Sequence, residues 1–141
     1  ISRDALQYDV DVTRFDYPLG KVPGDEKLGY DADKRLLELA VQVNKEINPE
    51  HNSYIGRGVT GDRFVSSHET KEYLKKTFDA TCCEMEGAAI AQIATKNSVP
   101  FVILRFISDE ANDEASMVYE EFEAKAIEKT VDFMLEFLRR V

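Results

Sequence analysis

Val99-Pro100-Phe101-Val102-Ile103-Leu104-Arg105-Phe106-Ile107-Ser108-Asp109 is a nearly continuous apolar run that ends on two polar residues. A run of this kind suits a strand buried on both faces, the habit of sheets covered by helices on each side. Period-two alternation would put Arg105, Ile107 and Asp109 on one side. Asp109 then stands where the strand leaves the sheet, the place where open α/β sheets collect ligand-binding groups.

Working outward, Leu36, Leu37, Leu39, Ala40, Val43 and Ile47 recur mostly at three- and four-residue spacings between Asp31 and Pro49. This pattern predicts an amphipathic helix over Asp31 to Ile47. Ser53 to Thr60 reads as a strand in which Gly56 and Gly58 allow another backbone or a ligand to come close. Ser66 with Glu69 fits a capping box and opens a helix to about Phe78. A short segment from Ala80 to Met85 leads into a helix of small residues, Glu86 to Ala94. The stripe Val118, Phe122, Ile127, Val131, Met134, Leu138 and Val141 predicts one long helix from about Glu114 to the end. Tyr8 to Gly29, rich in Asp, Gly, Pro and aromatics, reads as a long structured loop. Alternating strands and helices argue an α/β sheet covered on both faces.

The chain has 141 residues, 43% hydrophobic and 32% charged, the size and balance of about one ordinary domain. The longest unbroken apolar stretch falls far short of the roughly 18 residues of a membrane helix, and no charged-then-apolar leader opens the chain. Neither a membrane nor a secretory signal is expected. Eighteen Lys and Arg against 27 Asp and Glu give a net charge of −9, the wrong sign for neutralising nucleic-acid phosphates. Cys82 and Cys83 are adjacent and cannot supply the spaced pairs of a zinc site, so no metal is expected, and both read as small buried apolar residues in a reducing compartment. Ile1-Ser2-Arg3-Asp4 reads as a chain already under way.

Two groups of residues invite chemistry. Arg105 inside an apolar run is costly unless paired, which a structural ion pair would also satisfy. Glu84-Met85-Glu86 would turn both carboxylates one way and Met85 the other if extended. They are either solvated charges at a helix N-terminus or buried groups that take hydroxyl donors from a polyol. His51 and His68 lie in polar surroundings and read as surface residues, with no nucleophile turn to serve. No glycine-rich phosphate loop is present.

Tyr8-Asp9-Val10-Asp11-Val12-Thr13, Gly20-Lys21-Val22-Pro23-Gly24, Gly61-Asp62-Arg63-Phe64, Glu84-Met85-Glu86-Gly87-Ala88-Ala89-Ile90-Ala91 and the run Val99 to Asp109 together resemble the second part of the 5'-methylthioadenosine/S-adenosylhomocysteine nucleosidases. The likeness runs the length of the chain. It implies a three-layer αβα fold with a central mixed sheet, of the phosphorylase/hydrolase type, with residues 1–141 forming the C-terminal portion of one nucleoside phosphorylase-like domain. The implied reaction is hydrolysis of the N-ribosidic bond to adenine and the thioribose, in methionine salvage, by a cytoplasmic homodimer without cofactor.

Carried over by motif, Asp109 matches the family's general acid at purine N7, and Ser108 orients it. Glu86 matches the residue that holds the ribose hydroxyls, with Glu84 beside it, Met85 packs on the sugar, and Arg105 braces the carboxylate. Phe64 matches the aromatic that stacks on the purine, Val65 the backbone that reads its edge, and Tyr119 a position that commonly holds Phe in the 5'-substituent pocket. Tyr8 stands where the family usually has His, in a loop that reaches toward a partner subunit. The glutamate that activates water belongs to the family's first half. A purine nucleoside phosphorylase, using phosphate instead of water, shares Glu86 and Asp109, and a non-catalytic nucleoside-binding module is the third reading. Leaving-group acid and negative charge near the sugar are what an oxocarbenium-like transition state requires.

Overall fold

The computed structural model describes residues 1–50, 52–107, 127 and 130–141. Four strands form one mixed sheet: β1 (Ser2–Gln7), β2 (Tyr30–Asp31), β3 (Gly56–Thr60) and β4 (Ala80–Glu84), in the spatial order β2-β1-β3-β4. β1 and β2 are antiparallel, while β1, β3 and β4 run parallel. The parallel pairs are bridged by α1 (Lys34–Ile47) and α2 (His68–Phe78), and α3 (Gly87–Lys96) follows β4. A further helix, α4, covers residues 130–140.

Alternation along β1 shows how the layers arise. Leu6 enters a core with Tyr8, Val59, Val65, Leu74 and Phe78, under α2, whereas Ala5 packs with Tyr30, Ala88 and Ala91, under α3. Successive strand residues point to opposite faces, so each face receives its own helix. The small side chains of α3 let it lie close on the sheet. A third cluster joins Leu36, Ala40 and Val43 of α1 to Phe133 and Phe137 of α4.

The predicted helix Asp31 to Ile47 begins at Lys34, because Asp33 is its cap and accepts from the Leu36 amide at 2.9 Å. The capping of α2 differs by one residue from the Ser66–Glu69 expectation. Ser67 accepts from the Thr70 amide at 3.2 Å, and Ser66 is exposed. The strand expected from Ser53 starts at Gly56. Its glycines admit neighbouring side chains, not a ligand: a Cβ on Gly56 would lie 2.0 Å from the Thr81 hydroxyl, and one on Gly58 2.9 Å from that of Ser2.

One element was missed and one expectation is corrected more deeply. β1 was not anticipated, since Ser2-Arg3-Asp4-Ala5-Leu6-Gln7 carries little apolar signal, yet it is the second strand in order, flanked on both sides. Its Asp4 is held by the Arg57 guanidinium at 2.6 Å, which offsets the cost of a buried charge. Conversely, residues 99–107 form no strand. A single bridge links Ile103 to Ser2, and Asp33 donates to the Phe101 carbonyl. Both edges of β1 are already occupied by β2 and β3, so the run passes the end of the strand, with Val99 54% and Ile107 59% exposed. Ser108, Asp109, Tyr119 and the first part of the predicted C-terminal helix lie outside the described residues.

Candidate functional site

The site is built at the carboxyl ends of the parallel strands, where Gln7, Thr60 and Glu84 share one level of the register. Glu84 closes β4, and the chain turns at Met85 and Glu86 into α3. A helix opens with amide donors that have no partner inside it. The residue at the cap of α3, Glu86, makes no capping hydrogen bond with its side chain. Two other groups do that work. The Glu84 carboxylate accepts from the amides of Glu86 at 3.1 Å and Gly87 at 2.6 Å, and the Thr60 hydroxyl accepts from the Ala88 amide at 2.8 Å.

Glu84 is also bound by the Thr60 hydroxyl and by the Arg105 guanidinium. Its carboxylate is therefore surrounded by four protein donors and its side chain is 10% exposed. Glu86 is the opposite case: 61% exposed, with Arg105 Nη2 at 3.0 Å as its single side-chain partner among the described residues. The pair read as alike in the sequence is divided by the fold into a buried support and an open acceptor. Arg105 bridges the two, which gives it the partner that an arginine in an apolar run needs and the position that the resemblance implied, and its Nε is buried without a partner among the described residues.

Gly61-Asp62-Arg63-Phe64-Val65 runs alongside. Gly61 donates to the Glu84 carbonyl at 3.2 Å, and Asp62 donates to the Asp9 carboxylate at 2.8 Å. Val65 places its side chain in the core while the Phe64 ring, 53% exposed, stays outside it. Met85 is likewise exposed. The Tyr8 ring packs so closely on Gly61 that a Cβ there would lie 2.4 Å from it, and burial raises the Tyr8 phenol. Of the anticipated residues, the structure thus gathers Glu84, Glu86 and Arg105 by direct contact. His68 is exposed, in agreement with its surface reading, whereas Cys82 and Cys83, expected to be buried, are half-buried and are not joined in a disulfide.

Sequence reading missed Thr60, a buried hydroxyl that joins β3, β4 and α3. Its one signal was its place at the end of a strand ahead of Gly61. It also missed Asp25, held by Tyr30 at 2.5 Å, Gln92 at 2.8 Å and Lys96 at 2.8 Å, which fastens the long loop to α3. Burial works to raise that carboxyl, and the three donors outweigh it, bringing it down to about 2. Among the described residues no helix is long and apolar enough to cross a membrane.

A model of the phosphorylase superfamily matches residues 1–139. The 5'-methylthioadenosine/S-adenosylhomocysteine nucleosidase of Oceanobacillus iheyensis is 38% identical over 142 residues, covering 100% of this chain and 61% of the relative. An aminodeoxyfutalosine nucleosidase of Campylobacter jejuni is 36% identical over 135 residues, covering 96% of this chain and 58% of the relative. The chain spans about three fifths of the length of these curated relatives. Among solved structures, a Helicobacter pylori nucleosidase variant with 5'-methylthioadenosine in its active site superposes with a TM-score of 0.91 at 33% identity, over 99% of this chain and 59% of that one. The native futalosine hydrolase of the same species gives a TM-score of 0.90 at 34% identity, over 99% and 59%.

Proposed function

Because the chain belongs to the phosphorylase superfamily, we propose that it carries the leaving-group side of a nucleosidase site that hydrolyses the N-ribosidic bond of 5'-methylthioadenosine and S-adenosylhomocysteine. The observation that carries this reading is the Glu84–Arg105–Glu86 arrangement at the strand ends, which leaves one carboxylate open, with the Phe64 ring exposed on the segment that Gly61 ties to the end of β4. Cleavage of a C–N glycosidic bond builds positive charge on the sugar and negative charge on the departing base. Glu86, oriented by Arg105, accepts the ribose hydroxyls and favours the cationic sugar. Phe64 stacks on the purine, the Val65 backbone reads its edge, Met85 packs against the ribose and Tyr119 lines the 5'-pocket. Asp109, oriented by Ser108, delivers the proton to N7, so that adenine leaves as a neutral molecule. Glu84, its oxygens taken by protein donors, supports this set from beneath. Water needs its own base, which these residues do not include.

The protein works as a cytoplasmic homodimer in methionine salvage on this reading. The exposed Phe15 and Tyr17 in the long loop support the dimer by offering aromatic surface to a partner. The Campylobacter relative favours a second substrate of the same kind, aminodeoxyfutalosine.

The test is adenine release by the full chain from 5'-methylthioadenosine, first in phosphate-free buffer and then with phosphate added. Release without phosphate is expected. Release only with phosphate would assign a phosphorylase, and binding without release would assign a nucleoside-binding module or a half-site short of its water base. Aminodeoxyfutalosine run in parallel decides between the 5'-groups. In the active protein, Asp109→Asn should lower turnover by about 10²–10⁴ while substrate binding, followed by calorimetry, is retained.

A further inference from the structure

We propose that Thr60 is a positioning residue whose hydroxyl takes over the capping of α3 and thereby keeps the Glu86 carboxylate free for the ribose. The inference rests on the role just proposed for Glu86. Thr60 is 2% exposed, and its hydroxyl has one proton to donate and lone pairs to accept with. The Ala88 amide at 2.8 Å occupies an acceptor position, so the proton is directed to the Glu84 carboxylate. One atom thus serves the first turn of α3 and the carboxylate that anchors Arg105.

Glu86 occupies the cap position itself, with a carboxylate that the unpaired amides of a helix N-terminus attract. It leaves that work undone because Glu84 and Thr60 have already satisfied Gly87 and Ala88. Removing the hydroxyl opens the buried Ala88 amide and one side of Glu84 together. Such a donor left unpaired is costly, and the side chain at the cap position, the one that reaches the second or third amide of a helix, is that of Glu86. Drawn inward, Glu86 leaves both Arg105 and the ribose.

The experiment compares Thr60→Val, Thr60→Ala and Thr60→Ser in the full chain, measuring kcat/KM for 5'-methylthioadenosine and for its 2'-deoxy analogue. Thr60→Val should reduce the preference for the ribonucleoside by about tenfold, the order of a lost hydrogen bond to a charged group, and Thr60→Ser should restore it. If Thr60→Val does not fold, the Thr60→Ala and Thr60→Ser pair isolates the hydroxyl. A purely structural role would lower melting temperature and slow both substrates alike with the ratio unchanged, and that result overturns the proposal, as does failure of Thr60→Ser to restore the ratio. Hydrogen exchange at the Ala88 amide, protected in the parent and in Thr60→Ser but not in Thr60→Val, checks the cap without turnover. A parent that neither binds nor cleaves 5'-methylthioadenosine would overturn the nucleosidase reading and the ribose role with it, whereas unprotected Ala88 in a parent that binds it overturns the positioning role alone.

Discussion

At the scale of the residue, charge placement depends on how many donors each carboxylate meets. Glu84, with four, is a support, and Glu86, with Arg105 alone among the described residues, is open. Glu86→Gln keeps the size and removes the charge. It should raise KM and lower kcat for 5'-methylthioadenosine, with a much smaller effect on the 2'-deoxy analogue, and steady-state kinetics on the two substrates read this directly. Asp25 predicts a pH effect. Its carboxyl lies at about 2, below the ordinary 3.8. The stabilisation from its ion pair is complete above the ordinary value and is lost as the pH falls through the lower one. Asp25→Asn should therefore cost about 1–3 kcal/mol near neutrality, the range for a hydrogen-bonded buried charge, and urea unfolding should show the gap closing as pH 2 is approached.

At the scale of the element, the N-termini of α1, α2 and α3 are each defined by side chains that reach to the backbone. Ser66 and Ser67 both precede α2, and the capping-box spacing to Glu69 pointed to Ser66. The extended backbone of Ser67 and its bond to the Thr70 amide select one. Ser67→Ala should cost about 1 kcal/mol, while Ser66→Ala should stay within about 0.5 kcal/mol, as for an exposed residue outside any such feature. Thermal unfolding of the two variants compares them. The helices were legible because each buries a stripe at helical spacing, and the turn Glu84 to Gly87 was legible because two carboxylates next to small residues are unusual company. β1 was not legible. Its burial comes from partners on both sides, and Arg3 and Asp4 in its sequence disguise a strand whose charges are paired with Asp79 and Arg57.

At the scale of the whole molecule, two cores on opposite faces of one sheet explain why a short chain can hold a site at the strand ends. Leu6 is completely buried in the first of them and sits on the strand that joins β2 to β3. Leu6→Ala should destabilise the chain by about 2–5 kcal/mol, measured by urea denaturation, since the cavity lies between strand and α2 with little room to collapse. The apolar run 99–107 belongs to this scale too. Its composition is that of a buried strand, yet Val99, Phe106 and Ile107 are exposed here, because neither edge of β1 is open to it along its length.

The sequence by itself determined the α/β class, the helical stripes of α1 to α3 and the absence of a zinc-type cysteine pattern, which follow from local periodicity and spacing, and its family motifs carried over the company of Glu84, Glu86 and Arg105. Only the tertiary structure decided which glutamate is closed and which is open, that Thr60 and Asp25 hold their neighbours, and that Ser2–Gln7 is a strand while residues 99–107 are not. Those outcomes depend on hydrogen-bond partners far away in the chain. No window of sequence contains both members of such a pair, so the pairing appears only when the sheet brings them together.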